Sequence, residues 1–260
     1  ITVTSINTFT VSTGNWSDIN NWSLARIPLA TDDVVIPDSN TVYVDIFTAE
    51  ANNVKVTGVL SVNAGEAITI YGDLSQNGTF TINSDATTNG SLILKGNHSS
   101  VGSVDYVRYV SASHEMSKGW HLISSPVRYK SISDFYPSLA TVGDKLGIEH
   151  YVNSNVAGTK WEKYAVTDTP GYFVGGKGYA VKKENSGTLT FNGIVNTYDV
   201  DITVYATGDQ FNAIGNPYTS YLNSGAFLDN VTPERLTENT IWLWDEAGNG
   251  GGGEYITKNN

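Results

Sequence analysis

In the first hundred residues, short apolar stretches recur between polar corners marked by glycine. The clearest are GVLSV (58–62), GDLSQ (72–76), GTFTI (78–82) and GSLIL (90–94). Each opens on glycine and places a large apolar residue two positions later. Two is the strand period, so Leu60, Leu74, Phe80 and Leu92 are expected to share one face. Short strands with frequent turns and no 3.6-residue period predict a chain that stacks on itself as a β-solenoid over residues 1–103. Corners at Asn52-Asn53, Gln76-Asn77 and Asn89 suit turns that need left-handed backbone. Trp16 and Trp22 precede the coils and are expected to cover the open end of the apolar core.

From Val104 the pattern changes. VDYVRYV, GWHLISSPV, IEHYV, KWEKYAV, GYFVGGKGYAVKK, GTLTFNG and YDVDITVY all alternate apolar with polar residues, as strands half-buried in a β-sandwich do. A short helical turn is predicted within 132–147. The fold class is therefore all-β: an N-terminal solenoid, then a sandwich over residues 104–260.

The sandwich repeats itself. WHLISSPV (120–127) is echoed by FNAIGNPY (211–218), so that Trp120, Ile123 and Pro126 map 91 residues on to Phe211, Ile214 and Pro217. Ile148 and Tyr151 map 93 residues on to Ile241 and Trp244. The first copy spans about residues 105–205 and the second about 206–260. After GEYITKNN the second copy has no counterpart of GYAVKKENSGTLTF, so either the two copies build one sandwich in which the second uses fewer strands, or the second is cut roughly halfway and is expected to leave a sheet edge unpaired near residues 241–255.

Composition agrees with an all-β chain and narrows the partners. Val, Ile, Leu and Tyr supply most of the apolar content, with a single Met and 26 Gly. A net charge of −11, with no basic run longer than Lys182-Lys183, argues against nucleic acid. No apolar run is long enough to span a membrane as a helix. With no cysteine, disulfides, thiol catalysis and thiolate metal sites are excluded.

Little in the chain points to catalysis. His98, His114, His121 and His150 show neither metal-ligand spacing nor a Gly-x-Ser-x-Gly elbow nearby. Asp199 and Asp201 share a strand face that reads as the wet side. Asp32-Asp33 and Asp245-Glu246 would point oppositely on extended chain. Clusters at Asp32, Asp33 and Asp38, or at Asp245 and Glu246, are the candidates for a structural calcium ion; no other cofactor is indicated. GGKG (175–178) leads into a strand, where a phosphate loop would lead into a helix. Aromatic residues are the remaining signal, because exposed indole and phenol rings stack on sugars. Trp242 and Trp244 share one strand face, which reads as sandwich core or, alternatively, as a binding face, and Trp161 and Tyr164 are the first-copy candidates.

Residues 14–38 with ANNVKVTGVLSVN and YGDLSQNGTFTIN resemble the solenoid segments of large secreted proteins of Bacteroidota. The opening segment is also similar to the eight-glycine domain of some eukaryotic cell-surface proteins. GWHLISSPV, GGKGYAV, FNAIGNPY and IWLWDE resemble the β-rich segment that precedes a type IX secretion sorting domain in those bacterial proteins. The resemblance implies a secreted or outer-surface location. It implies adhesion or presentation through a polysaccharide, surface glycan or cell-surface protein, and no catalytic residue. The alternative function is a carbohydrate-binding module attached to a polysaccharide-degrading enzyme.

Overall fold

The computed structural model describes residues 4–99, 101–115, 117–154, 158–206, 208, 210–230, 238 and 240–259. Its N-terminal part is a β-solenoid of about four turns. Three parallel sheets form its sides. The first stacks Ser5–Thr8, Asp32–Ile36, Val54–Val56 and Leu74–Gln76. The second stacks Thr13–Asn15, Thr41–Val44, Val59–Val62, Thr79–Ile82 and Val104–Val110; the third stacks Ala49–Ala51, Ala67–Ile70 and Ser91–Leu94.

Stacking is in register, so Val34, Val54 and Leu74 lie in one column while Val42, Leu60 and Phe80 lie in another. Most inward residues, among them Val34, Val54, Leu74, Val42, Leu60, Phe80, Ile68 and Leu92, are fully buried and form a continuous apolar core. Leu60, Leu74, Phe80 and Leu92 all face that core, but from three different sheets rather than from one face. Corners between strands turn the chain, so equal spacing from glycine does not mean the same wall.

The corners also differ from expectation. None of Asn52, Asn53, Asn77 and Asn89 has a positive φ. Instead, Asn52 and Asn53 each donate a side-chain N–H to Asp33 Oδ1 at 2.8 Å. Asn53 Oδ1 then accepts the Asp73 backbone N–H, and Asp73 Oδ1 accepts that of Asn97, each at 2.7 Å. A ladder of Asp and Asn thus runs along one corner, satisfying backbone donors that the strand ladders leave over. At another corner Gly58 and Gly78 lie directly above one another. A methyl group on Gly78 would run into the Gly58 carbonyl, so close approach of the coils requires glycine there.

Trp16 and Trp22 are buried in the first coil, as the capping expectation required. Their rings meet edge to face at 4.9 Å, and Trp22 Nε1 donates to the Trp16 carbonyl at 2.8 Å.

Val104–Val110 stacks parallel on Thr79–Ile82 and pairs antiparallel along its other edge with Gly187–Val195. The latter also pairs with Val127–Arg128, which makes a seven-stranded sheet running from the solenoid into the C-terminal half. The boundary expected at residue 103 therefore falls inside a continuous sheet. A five-stranded antiparallel sheet is built from His121–Ile123, Tyr179–Val181, Lys145–Tyr151, Thr141–Val142 and Trp161–Ala165. Phe173 bridges the two layers, 4.9 Å from Tyr179 on one side and 5.5 Å from Phe191 on the other. A 3₁₀ turn at Ser133–Ser138 lies in the segment predicted to be helical.

The alternating segment YDVDITVY and the echo of WHLISSPV are not strands. Residues 198–206 and most of 211–218 form no ladder; Ile214 makes a single bridge to Lys177. The Asn212 side chain accepts from Tyr205 N at 2.9 Å and donates to Tyr205 O at 3.1 Å, taking the place of a strand neighbour. Further on, Leu92 N donates to Thr219 O, and the Thr219 hydroxyl donates to Leu92 O. Thr219, just past the second copy's opening segment, thereby caps the edge strand of the third sheet. A helix, Ser224–Asn230, and the hairpin of Thr240–Asp245 with Glu254–Asn259 follow in the second copy. Asn249 and Gly250 take left-handed φ angles of 50° and 65° in the turn between its strands.

Candidate functional site: an aromatic cleft at the end of the solenoid

The copies correspond strand for strand at this hairpin. Tyr151 pairs with Trp161 in the first copy, and Trp244 with Tyr255 in the second. In both, alternation puts the two rings on one face of neighbouring strands, where a cross-strand pair can meet.

Trp161, Trp242 and Trp244 all line one cleft of about 2330 Å³ between the solenoid end, residues 200–221 and the second hairpin. Trp242 meets Phe211 edge to face at 5.3 Å and keeps 37% of its surface exposed. Trp244 is partly covered; its Nε1 donates to the Trp120 carbonyl at 2.7 Å. Arg108, Lys160, Asp201, Asn212 and Asn216 supply polar groups around the aromatic walls. Large apolar faces beside a few amides and charges can bind rings or extended chains while orienting them by hydrogen bonds.

Tyr164 lies outside this cleft. Its ring stacks on His150 at 5.0 Å and 27°, and burial pushes its hydroxyl pKa up. The four aromatic residues singled out by sequence therefore separate into three that converge and one that does not.

The carboxylates considered for calcium are dispersed into other tasks. Asp32 pairs with Arg26 and accepts the Leu29 N–H at 2.8 Å; the guanidinium lowers its pKa. Asp33 serves the corner ladder, Asp38 accepts the Ser39 N–H, and Asp245 accepts the Ala247 N–H. Among the described residues no three His, Asp or Glu side chains are grouped to hold a metal ion.

One cluster had no signature in the sequence. The Ser111 hydroxyl lies 2.8 and 2.9 Å from the Glu246 carboxylate oxygens and 3.0 Å from His121 Nε2. His121 Nε2 is 3.4 Å from Glu246. Burial lowers the His121 pKa, and the Glu246 carboxylate opposes that shift. In a hydrolytic relay the acid holds the ring nitrogen opposite the one facing the hydroxyl. Here serine and glutamate meet the same nitrogen, so the cluster clips the second hairpin to the solenoid's last strand. Ser111 and Glu246 are 135 residues apart, a separation that no local motif can reveal.

The architecture is thus a solenoid joined through one sheet to a partly duplicated sheet unit with an open aromatic cleft. The chain belongs to the family described as Domain of unknown function (DUF8693), whose family model matches residues 8–251. Neither the curated proteins nor the solved structures contain a significant match to it.

Proposed function

We propose that this chain is a non-catalytic segment of a larger secreted or cell-surface protein, of the Bacteroidota type described above, and serves adhesion or presentation. The observation that carries the reading is the seven-stranded sheet shared by the solenoid and the C-terminal unit. A stack of in-register coils is stiff, and a shared sheet transmits that stiffness without a flexible linker. Such a chain holds the aromatic cleft at a fixed distance and orientation from whatever lies at its other end. Beads coated with the chain are expected to be retained under flow on surfaces bearing envelope glycans or proteins. Equal retention of uncoated beads, or turnover of a polysaccharide by the purified chain, would overturn the reading.

A second reading, a carbohydrate-binding module, is favoured by the convergence of Trp161, Trp242 and Trp244 on one cleft with amide and charged groups beside them. Saturable binding to a soluble polysaccharide, lost in the Trp161→Ala Trp242→Ala double variant, is its expected result. Binding that survives both substitutions would remove the cleft from that role.

A further inference from the structure

Asparagine followed by glycine occurs four times, at Asn77-Gly78, Asn89-Gly90, Asn192-Gly193 and Asn249-Gly250. In such a pair the glycine nitrogen can attack the asparagine side-chain carbonyl, because the glycine carries no side chain to hinder the approach. Gly78, Gly90 and Gly193 are held. Gly78 N donates to the Val56 carbonyl at 3.1 Å, and the residue is pressed against Gly58 of the next coil. Gly90 N donates to Asn83 O at 2.6 Å, while Asn89 Oδ1 accepts the Ser84 hydroxyl at 2.7 Å. Asn192 and Gly193 pair with Asp105 and Val104 inside the seven-stranded sheet, and the Asn192 amide donates to Ser103 Oγ at 2.9 Å. Attack at any of these requires a strand or a solenoid corner to come apart.

Asn249-Gly250 is the exception. Both residues are exposed, in the turn between Thr240–Asp245 and Glu254–Asn259. Nothing lies within 4 Å of the space a side chain on Gly250 would fill. Among the described residues the Asn249 side chain makes no hydrogen bond. Glycines continue from Gly250 to Gly253, so the backbone can leave its left-handed angles at little steric cost.

We propose that Asn249 is a site of spontaneous deamidation, which alters the second hairpin as the protein ages. The Gly250 backbone nitrogen gives up its proton and bonds to Asn249 Cγ; the Cγ–Nδ2 bond breaks and ammonia leaves. Water then opens the cyclic imide at one carbonyl or the other, leaving aspartate or isoaspartate. The sum is amide plus water to carboxylic acid plus ammonia, with nothing oxidised or reduced. Either product adds a negative charge to a turn flanked by Asp245, Glu246 and Glu254, and isoaspartate also lengthens the backbone by one carbon. The Glu254 side chain packs against Gly248, so the new charge arises close to it. Repulsion there weakens the hairpin whose Trp242 and Trp244 line the cleft. This inference does not depend on the adhesion reading.

The test holds the full chain in mildly alkaline buffer and follows isoaspartate by peptide mapping, beside a synthetic peptide of the sequence Asp245–Glu254. Isoaspartate is expected at Asn249 at least about fivefold sooner than at Asn77, Asn89 or Asn192, where a hydrogen bond must first open. Its rate should rise with pH, as loss of the nitrogen's proton requires. Asn249→Gln should remove it, because glutamine would have to close a larger and slower ring. Amide exchange in residues 240–259 should quicken in the aged chain and not in the aged Asn249→Gln chain. Earlier conversion at any of the other asparagines, or none at Asn249 once the peptide has converted, would overturn the site. Unchanged exchange in 240–259 after conversion would overturn its effect on the hairpin.

Discussion

Trp244 and Tyr255 meet edge to face with ring centroids 5.0 Å apart at 67°, repeating the pair Tyr151 and Trp161 at 5.2 Å and 75° with the residue types exchanged across the hairpin. The duplication therefore keeps the contact and not the identity of each residue. A cross-strand pair depends on the combined shape of two rings, which survives exchange.

Exchange should accordingly be tolerated where truncation is not. Trp244→Ala loses the ring pair and the indole hydrogen bond to Trp120, together about 1–3 kcal/mol. Amide exchange should quicken in residues 240–259 and stay unchanged in the solenoid. The double exchange Trp244→Tyr with Tyr255→Trp should restore most of the protection, and failure to do so would make the pair incidental.

His98 makes stability depend on acid. It is buried where the solenoid meets the sheet of Gly187–Val195, and its Nδ1 accepts the Val195 N–H at 3.2 Å. Burial lowers its pKa from 6.5 to about 4, with Arg128 adding to the shift. The unfolded chain then binds the proton more readily than the folded one. This stabilisation is complete above pH 6.5 and is lost as pH falls towards 4. His98→Asn keeps an acceptor for Val195, and its denaturation midpoint should vary less than the parent's across that window. Identical slopes would dismiss the role of His98.

The corner ladder predicts an order among substitutions at Asn53. Asn53→Ala removes its bonds to Asp33 and to the Asp73 N–H, costing about 1–2 kcal/mol. Asn53→Asp keeps the acceptor but sets a second carboxylate against Asp33. At neutral pH it should be the more damaging change, and the deficit should shrink as acid neutralises the introduced group. Urea midpoints at pH 7 and pH 4 give the comparison.

Gly78→Ala should destabilise by about 1–3 kcal/mol or prevent folding, because its methyl group meets the Gly58 carbonyl of the coil beneath. Gly143→Ala is the control for space: nothing lies within 4 Å of its added carbon, but its φ of 63° carries a smaller conformational cost. Thermal midpoints should rank Gly78→Ala lowest.

Much of the architecture was legible in one dimension. Gly-x-Leu spacing at Leu60, Leu74, Phe80 and Leu92 marked strands and burial, because side-chain alternation is a local property of extended backbone. The burial of Trp16 and Trp22 followed from residue type and neighbours. Local pattern failed at 198–205, which alternates as well as any strand. A ladder needs a second edge at the right distance, and here the Asn212 side chain occupies that place beside Tyr205.

The sequence by itself determined the strand-rich class, the solenoid and the existence of a repeat, since each is written in spacing of a few residues or in direct self-similarity. Only the tertiary structure decided which sheets the buried residues belong to and that the solenoid sheet continues past residue 103. It also decided that Trp161 joins Trp242 and Trp244 while Tyr164 turns to His150. Those outcomes depend on how distant segments close on one another, and Ser111, His121 and Glu246 meet only after that closure. The cleft itself lies between two walls that no stretch of sequence contains together.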